Sequence, residues 1–393
     1  MTTQNHRPIR DKTTWVSYAQ ASLFGWFIYG IGASLPFLRD DLGLSTFGVS
    51  LHSLLMAVGS ITAGLITSWV IARIGRGQLL HFSSFAIAVG ISMYLLGTSM
   101  WITLPGVAIT TCSGSLIIQG TGAYLSNHHG RKAPTVISEL HAMAAGIGIM
   151  APLLVGAAVA AELNWRLGLV LPVAAAFVVE RVRGKDVSAY GPKAQVTSES
   201  SHHDAPGSLP RKFWWTWTTV LCTAATEFAL LIWGSDMLRN QGGMGAAASA
   251  ASLGCIVGGL CIGRLIGARL AQRFGSENIY VGSLVLALIG FLGFWHSTNP
   301  LVLVVSLAIT GLGMSMHFPL GFDRALRASG NRQDAASARL SLGAGFASGA
   351  APFALGSLSD VYGMVDAYTI VPVALIIAII VSVRNPVLQK DAN

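Results

Sequence analysis

One carboxylic acid, Glu227, stands near the middle of an apolar run, FWWTWTTVLCTAATEFALLIWGSD (Phe213 to Asp236), and no other of the 17 acidic residues lies so deep in one. An ionised carboxylate at that depth costs about 2.5–3.5 kcal/mol on insertion scales, so it must face a wet cavity or a partner. Burial favours the neutral form of a carboxyl, and one whose exposure alternates can take up a proton on one side of a barrier and release it on the other. The plainer reading is a protonated or hydrogen-bonded Glu that only ties its helix to a neighbour. His141 and His317 also lie deeper than the loops. Imidazole titrates near neutrality and could relay protons, or each ring could simply be packed. Tyr18, Gln20, Trp26, Tyr29, Gln119 and Trp233 place aromatic and polar groups inside apolar runs, where they could line a cavity for an amphipathic organic solute. Trp214, Trp215 and Trp217, at the start of such a run, read as part of an interfacial aromatic belt.

The sequence has no phosphate-binding Gly loop, nucleophile elbow or metal-ligand spacing, so no enzyme, cofactor or metal is expected. The pair His202/His203 lacks companion ligands and reads as solvated loop.

These residues must be positioned by membrane helices. Of 393 residues, 52% are hydrophobic and 11% charged, against roughly 25% charged in a soluble domain. The 45 glycines suit helices that approach closely in lipid. The four cysteines (Cys112, Cys222, Cys255, Cys261) fall inside apolar runs and read as reduced packing residues. The polar start of the chain runs straight into a full-length apolar segment, so no removable signal peptide is expected.

Twelve spans are predicted, at 15–37, 48–72, 79–97, 101–126, 135–160 and 164–180, then 213–237, 246–268, 278–295, 300–322, 335–359 and 364–383. The fold class is therefore all-α membrane: a six-helix bundle (1–180), a polar linker (181–212) and a second six-helix bundle (213–393). The linker is rich in Ser, Gly, Pro and His and is read as flexible. Its basic residues (Arg181, Arg183, Lys185, Lys193, Arg211, Lys212) fall on the same side as Arg73, Arg76, Arg131, Lys132, Arg269, Arg273, Arg324, Arg327 and Arg332 when both termini are cytoplasmic. Only Arg39, Arg166 and Arg239 fall opposite, as the positive-inside rule requires. The net charge of +8 is thus a topology signal, and no nucleic-acid partner is implied.

The two halves repeat at an offset of 200 residues: VLPVA (Val170 to Ala174) faces IVPVA, APLLVG (Ala151 to Gly156) faces APFALG, and Arg73/Gly75, Ser83, Gly90 and Gly130 face Arg273/Gly275, Ser283, Gly290 and Gly330. Pro152/Pro352 and Pro172/Pro372 in register are the strongest matches. A parallel repeat of this kind puts its site between the halves near midplane. Pro36, Pro152, Pro319 and Pro352 are expected to loosen the helices where a rocking motion bends them, or to be tolerated kinks.

On these features the sequence resembles the major facilitator superfamily. Its loop signature between helices two and three appears as GLITSWVIARIGRG (Gly64 to Gly77), with Arg73, Gly75 and Arg76 matching, Ala72 in the usual Asp place and Gly77 in that of a basic residue. The second-half counterpart GRLIGARLAQRFGS keeps Arg264, Arg273 and Gly275, with Gln272 in the acidic place. Gln119, Gly120, Gly122 and Ala123 resemble the fourth-helix pattern of drug/proton antiporters, with Leu116 where those carry Arg, and the run from Gly130 to Gly156 also resembles the fucose-permease branch. Glu139 and Arg339, equivalent positions at the offset of 200, are read with Arg264 as charges of a cytoplasmic gate.

The resemblance implies a monomeric secondary transporter in the cell membrane, moving a small organic solute by alternating access between two bundles; the proton is expected as coupling partner from Glu227, not from the resemblance. An exporter of amphipathic, drug-like compounds and a non-transporting membrane sensor are the alternatives.

Overall fold

The computed structural model describes residues 10–184, 188–190, 208–330 and 332–387. Twelve helical rods run through them. The first six are α1 (Lys12–Leu42), α2 (Thr46–Ile74), α3 (Arg76–Leu96), α4 (Met100–His129), α5 (Thr135–Ala160) and α6 (Leu167–Arg183). The second six are α7 (Arg211–Asn240), α8 (Ala246–Phe274), α9 (Ser276–His296), α10 (Pro300–Ala328), α11 (Gln333–Tyr362) and α12 (Met364–Arg384). Ten of these are long and apolar enough to cross a membrane by length and composition. The other two have plain reasons for falling short: α6 has only 17 residues, and α11 carries Ser, Gly and Ala along most of its length.

Most rods are apolar all round, because lipid replaces water on their outer faces. Leu96, Trp101, Phe177, Ile289, Leu301 and Val361 are exposed there, where only hydrocarbon suits them.

The offset of 200 governs the backbone. Among the described residues, six of the eight glycines of positive φ form pairs at this offset, Gly43/Gly243 at 61° and 59°, Gly75/Gly275 at 85° each, and Gly130/Gly330 at 50° and 66°. Close helix crossings repeat as well: a Cβ on Gly59 would meet the Ala108 carbonyl, and one on Gly259 the Ala308 carbonyl. Gly75, at φ 85° and ψ 158°, ends α2 and starts α3 in a region that costs a side chain about 1–3 kcal/mol. Gly75→Ala is therefore expected to lower the thermal unfolding temperature by that equivalent, while Gly64→Ala, whose Cβ would meet open space, leaves it unchanged or raises it.

Proline sets the helix breaks. It withdraws the N–H that would bond four residues back. The first segment of α5 ends at Gly148, four residues before Pro152. The interruption of α10 falls at Ser315, four before Pro319, and that of α12 begins at Tyr368, four before Pro372. Pro36 and Pro352 lie inside unbroken α1 and α11, so proline alone does not open a membrane helix.

Most of the expected linker lies outside the described residues, as do His202 and His203. Its described part does not float free. Ser188–Tyr190 forms a short turn, and Tyr190 is buried with its ring 4.9 Å from that of Tyr124 and under the Arg183 guanidinium. Arg183, read as a linker charge, is itself buried on α6.

Candidate functional site

Between the halves lies a cavity of about 760 Å³, walled by α1, α2, α4 and α5 from one side and α7, α8, α10 and α11 from the other. Its polar groups arise from helical spacing. On α11, Ser337, Ser341, Gly345 and Ser348 fall on one stripe and make that helix more polar than its neighbours. Ser60 and Ser115 face each other across α2 and α4 at 3.3 Å, and Gln119 reaches the cavity while accepting from Thr67 Oγ1 at 2.8 Å. Phe24, Phe228 and Phe318 supply the apolar surface.

Among the described residues three ionisable side chains line it: Tyr29 on α1, His141 on α5 and Arg264 on α8. Arg264 interacts with the Tyr29 hydroxyl and feels the Glu227 carboxyl electrostatically, and its charge also reaches His141. Glu227 is half-buried on α7, next to the lining residue Phe228, and forms no ion pair with Arg264. The fold thus gathers Glu227, His141, Tyr29, Gln119 and Arg264 around one space.

Other sequence candidates are placed elsewhere. Trp26 donates to the Gly168 carbonyl at 2.9 Å and Trp233 to the Pro352 carbonyl at 2.8 Å, each turned into the packing of its own half. Gln20 donates to Glu180 at 2.9 Å and Ser84 at 3.0 Å in a buried network with His81 and Arg183. Tyr18 donates to Glu139 at 2.9 Å. His317 is 1% exposed inside the second half, its ring nitrogens without partners among the described residues. A bulky aromatic fills a gap between helices as readily as it faces a cavity, and composition does not distinguish the two.

The gate charges are also redistributed. Glu139 is clasped by Arg10 at 2.5 and 2.8 Å, not by Arg264. Arg73 stacks on Trp69 and Arg273 on Phe274, Arg76 is half-buried, and Arg339 is exposed, its backbone carbonyl accepting from Trp217 Nε1.

At the end carrying the termini, the ion pairs Arg10–Glu139, His81–Glu180, Arg183–Glu180, Arg324–Glu277 and Arg327–Asp323 each close within one half. At the far end ion pairs cross between halves. Arg39 meets Asp236 at 2.8 Å and Arg239 meets Asp40 at 3.6 Å, with Arg239 also over the Phe37 ring. The Phe47 amide donates to Asp360 at 2.7 Å, and Gly32, Gly349 and Gly356 bring α1 onto α7, α2 onto α11, and both α2 and α7 onto α11. The cavity is therefore sealed at the far end, while His141, Leu65 and Ser341 remain exposed towards the terminal end.

Sequence reasoning missed this clasp, although Arg39 and Arg239 stand in register at the offset of 200. Asp236 is buried and neither of its oxygens has an aligned hydrogen bond, so its hold on Arg39 is electrostatic. Asp236→Asn is expected to loosen the far end by about 1–3 kcal/mol. A cysteine placed at Ser50, buried beside Gly356 in that seam, should then react about 5- to 150-fold faster with an impermeant thiol reagent, above the native-cysteine background.

Asp11, His128 and His129 bring ligand atoms within 4.8 Å of one another at the start of α1. Hydrogen bonding explains the group: Asp11 caps α1 through Thr14 and lies 2.8 Å from His128, and His129 lies 2.9 Å from Thr14 Oγ1. Partial desolvation pushes the Asp11 carboxyl up, but the hydrogen bonds of Thr14, Thr13 and His128 outweigh it and hold it at about 2.

Comparison with known proteins agrees with this architecture. The Major Facilitator Superfamily model matches residues 216–392. A bacterial homolog of the human lysosomal transporter Spinster, in an inward-facing and unoccupied conformation, superposes with a TM-score of 0.74 at 13% identity, covering 99% of this chain and 100% of that one. The nucleoside transporter NupG superposes at 0.69 with 12% identity, over 95% and 97% of the two chains. No curated protein sequence matches. This chain is a multi-pass membrane protein with the major facilitator fold. The expected resemblance to the superfamily is borne out by the match over residues 216–392 and by the fold, with the subfamily unresolved.

Proposed function

We propose that the protein is a secondary transporter that carries a small organic solute across the cell membrane by alternating access, coupled to protons. The carrying observation is the cavity between the two halves, sealed at one end by ion pairs that cross from half to half. Its volume of about 760 Å³ suits a small molecule. Rocking the halves would break the Arg39–Asp236 and Arg239–Asp40 pairs and bring the terminal ends together. The basic residues around the terminal end support a cytoplasmic location for both termini, so the state described is the one open to the cytoplasm. A monomer suffices, since both halves of the site lie in one chain. Glu227, with His141 second, is the coupling group because it can exchange protons beside the cavity. The exporter of drug-like compounds has less support, because Trp26 and Trp233, which suggested it, are packed within their halves.

The test is reconstitution into liposomes holding a pH-sensitive dye. A library of organic solutes is added outside, and a solute-dependent pH change that a protonophore collapses is the expected result. Ligand binding with no flux of any solute would overturn transport in favour of a sensor.

A further inference from the structure

Among the described residues, Arg264 is the only Arg or Lys on the cavity wall and no carboxylate lines it. A guanidinium stays charged at every working pH and presents a planar fork of donors matched to a carboxylate. It lines the cavity with the Tyr29 hydroxyl beside it, and among the described residues no carboxylate forms an ion pair with it; Glu227 acts on it electrostatically. His141 faces the same space from the other half and adds a second group able to carry positive charge. Phe24, Phe228 and Phe318 form an apolar surface beside this pole, and the serines of α11 provide hydrogen bonds around it.

Resting on the transporter reading above, we propose that the solute is an organic monoanion whose carboxylate seats on Arg264 and whose apolar body packs against Phe24, Phe228 and Phe318.

The coupling then follows from charge. Two carboxylates within electrostatic reach of one guanidinium repel each other, so the anion enters most readily when Glu227 has taken a proton from the same aqueous side. On the opposite side the anion leaves, Glu227 releases the proton, and the carboxylate of Glu227 again balances Arg264. One negative charge and one proton cross together, which makes the cycle electroneutral. The groups facing this exchange are Arg264 and Cys261 on α8, Tyr29 on α1 and His141 on α5, with serines from α11.

The test uses purified full-length protein and compounds sharing one scaffold as carboxylate, amide and amine, beginning with benzoate, benzamide and benzylamine and extending to larger aryl and branched alkyl bodies. Thermal stabilisation is read at mildly acid and mildly alkaline pH. Carboxylates are expected to bind about 10- to 100-fold more tightly than the matched amides, more tightly on the acid side, and to lose that preference in Arg264→Gln. Should Arg264→Gln not fold, Arg264→Lys, which keeps the charge and loses the fork, is expected to retain a reduced preference. Equal or better binding of amides or amines, no binding of any carboxylate, or carboxylate binding unchanged in the Arg264 variants overturns the proposal. Flux separates the two readings. Proton-coupled movement of neutral or cationic solutes alone keeps the transporter and overturns the anion, whereas carboxylate binding without flux keeps the anion and overturns the transporter.

Discussion

Glu227→Gln is expected to abolish solute accumulation driven by an imposed pH gradient while leaving solute-for-solute exchange across the same liposomes near wild type. Glutamine copies the protonated acid in shape and polarity but cannot release a proton. A site kept permanently neutral can still reorient with solute bound, so exchange survives; net accumulation requires the empty carrier to return deprotonated, so it fails. With one proton per solute the gradient concentrates solute by about tenfold per pH unit, so an imposed gradient of about two units sets the accumulation the variant should lose at about 100-fold. The same substitution leaves Arg264 without its distant negative partner, so anion binding should tighten and lose its pH dependence. Accumulation that persists in the variant would make Glu227 structural and move the coupling to His141. The measurement is uptake and counterflow of one solute in parallel, because only their ratio separates lost coupling from lost folding.

The second large effect is on stability. Arg324 is 0% exposed inside the second half, where it joins α10 to α9 and α12. Its Nη2 donates to Glu277 Oε1 at 2.6 Å and its Nε to Oε2 at 3.2 Å. Its Nη1 donates to Ser382 Oγ at 3.0 Å, and the guanidinium lies 4.5 Å from the centre of the Tyr280 ring. Removing one member of a buried ion pair typically costs about 3–5 kcal/mol, mostly through the charge left behind. Arg324→Met should therefore lower the unfolding temperature in detergent more than any single substitution on the cavity wall. The double variant Arg324→Met/Glu277→Gln should recover most of the loss, because it removes the stranded charge. A double variant no better than the single one would show that the packing of Arg324 on Tyr280, and not the ion pair, holds the helices.

Arg324 also shows where sequence reading stops. In the sequence it counts as one of several arginines on the side of the termini, and the positive-inside rule uses it with no knowledge of its environment. Folding turns it inward. The rule holds because Arg327 and Arg332 remain near it in sequence, but a charge count does not distinguish a solvated arginine from one that anchors three helices. The same is true of Arg183, counted with the linker and buried on α6.

The candidate site was legible in part for a similar reason. Glu227 was found because a carboxylate deep in an apolar run is costly and must be accommodated. Arg264 was noticed only through its loop motif and assigned to a gate, since its depth along α8 does not reveal that it faces the cavity. Trp26 and Trp233 were misplaced because an indole N–H can be satisfied by a neighbouring helix carbonyl, a contact that has no signature in sequence. The serine stripe on α11 has helical spacing, but in sequence it reads only as lowered hydropathy, which says nothing of the face it occupies.

The sequence by itself determined that the chain is a bundle of membrane helices and that its halves repeat at an offset of 200, and of the four prolines expected to loosen helices it placed two at real breaks, Pro152 and Pro319. Each of these is local: hydrophobicity over some twenty residues, a missing N–H, or a glycine conformation written once in each half. Only the tertiary structure decided which face of each helix meets the cavity, and that the two halves meet at the far end through Arg39, Asp236, Asp40 and Arg239. Those choices depend on residues hundreds of positions apart reaching ion-pair distance, and between helices that are apolar on nearly every side no local pattern marks the inward one.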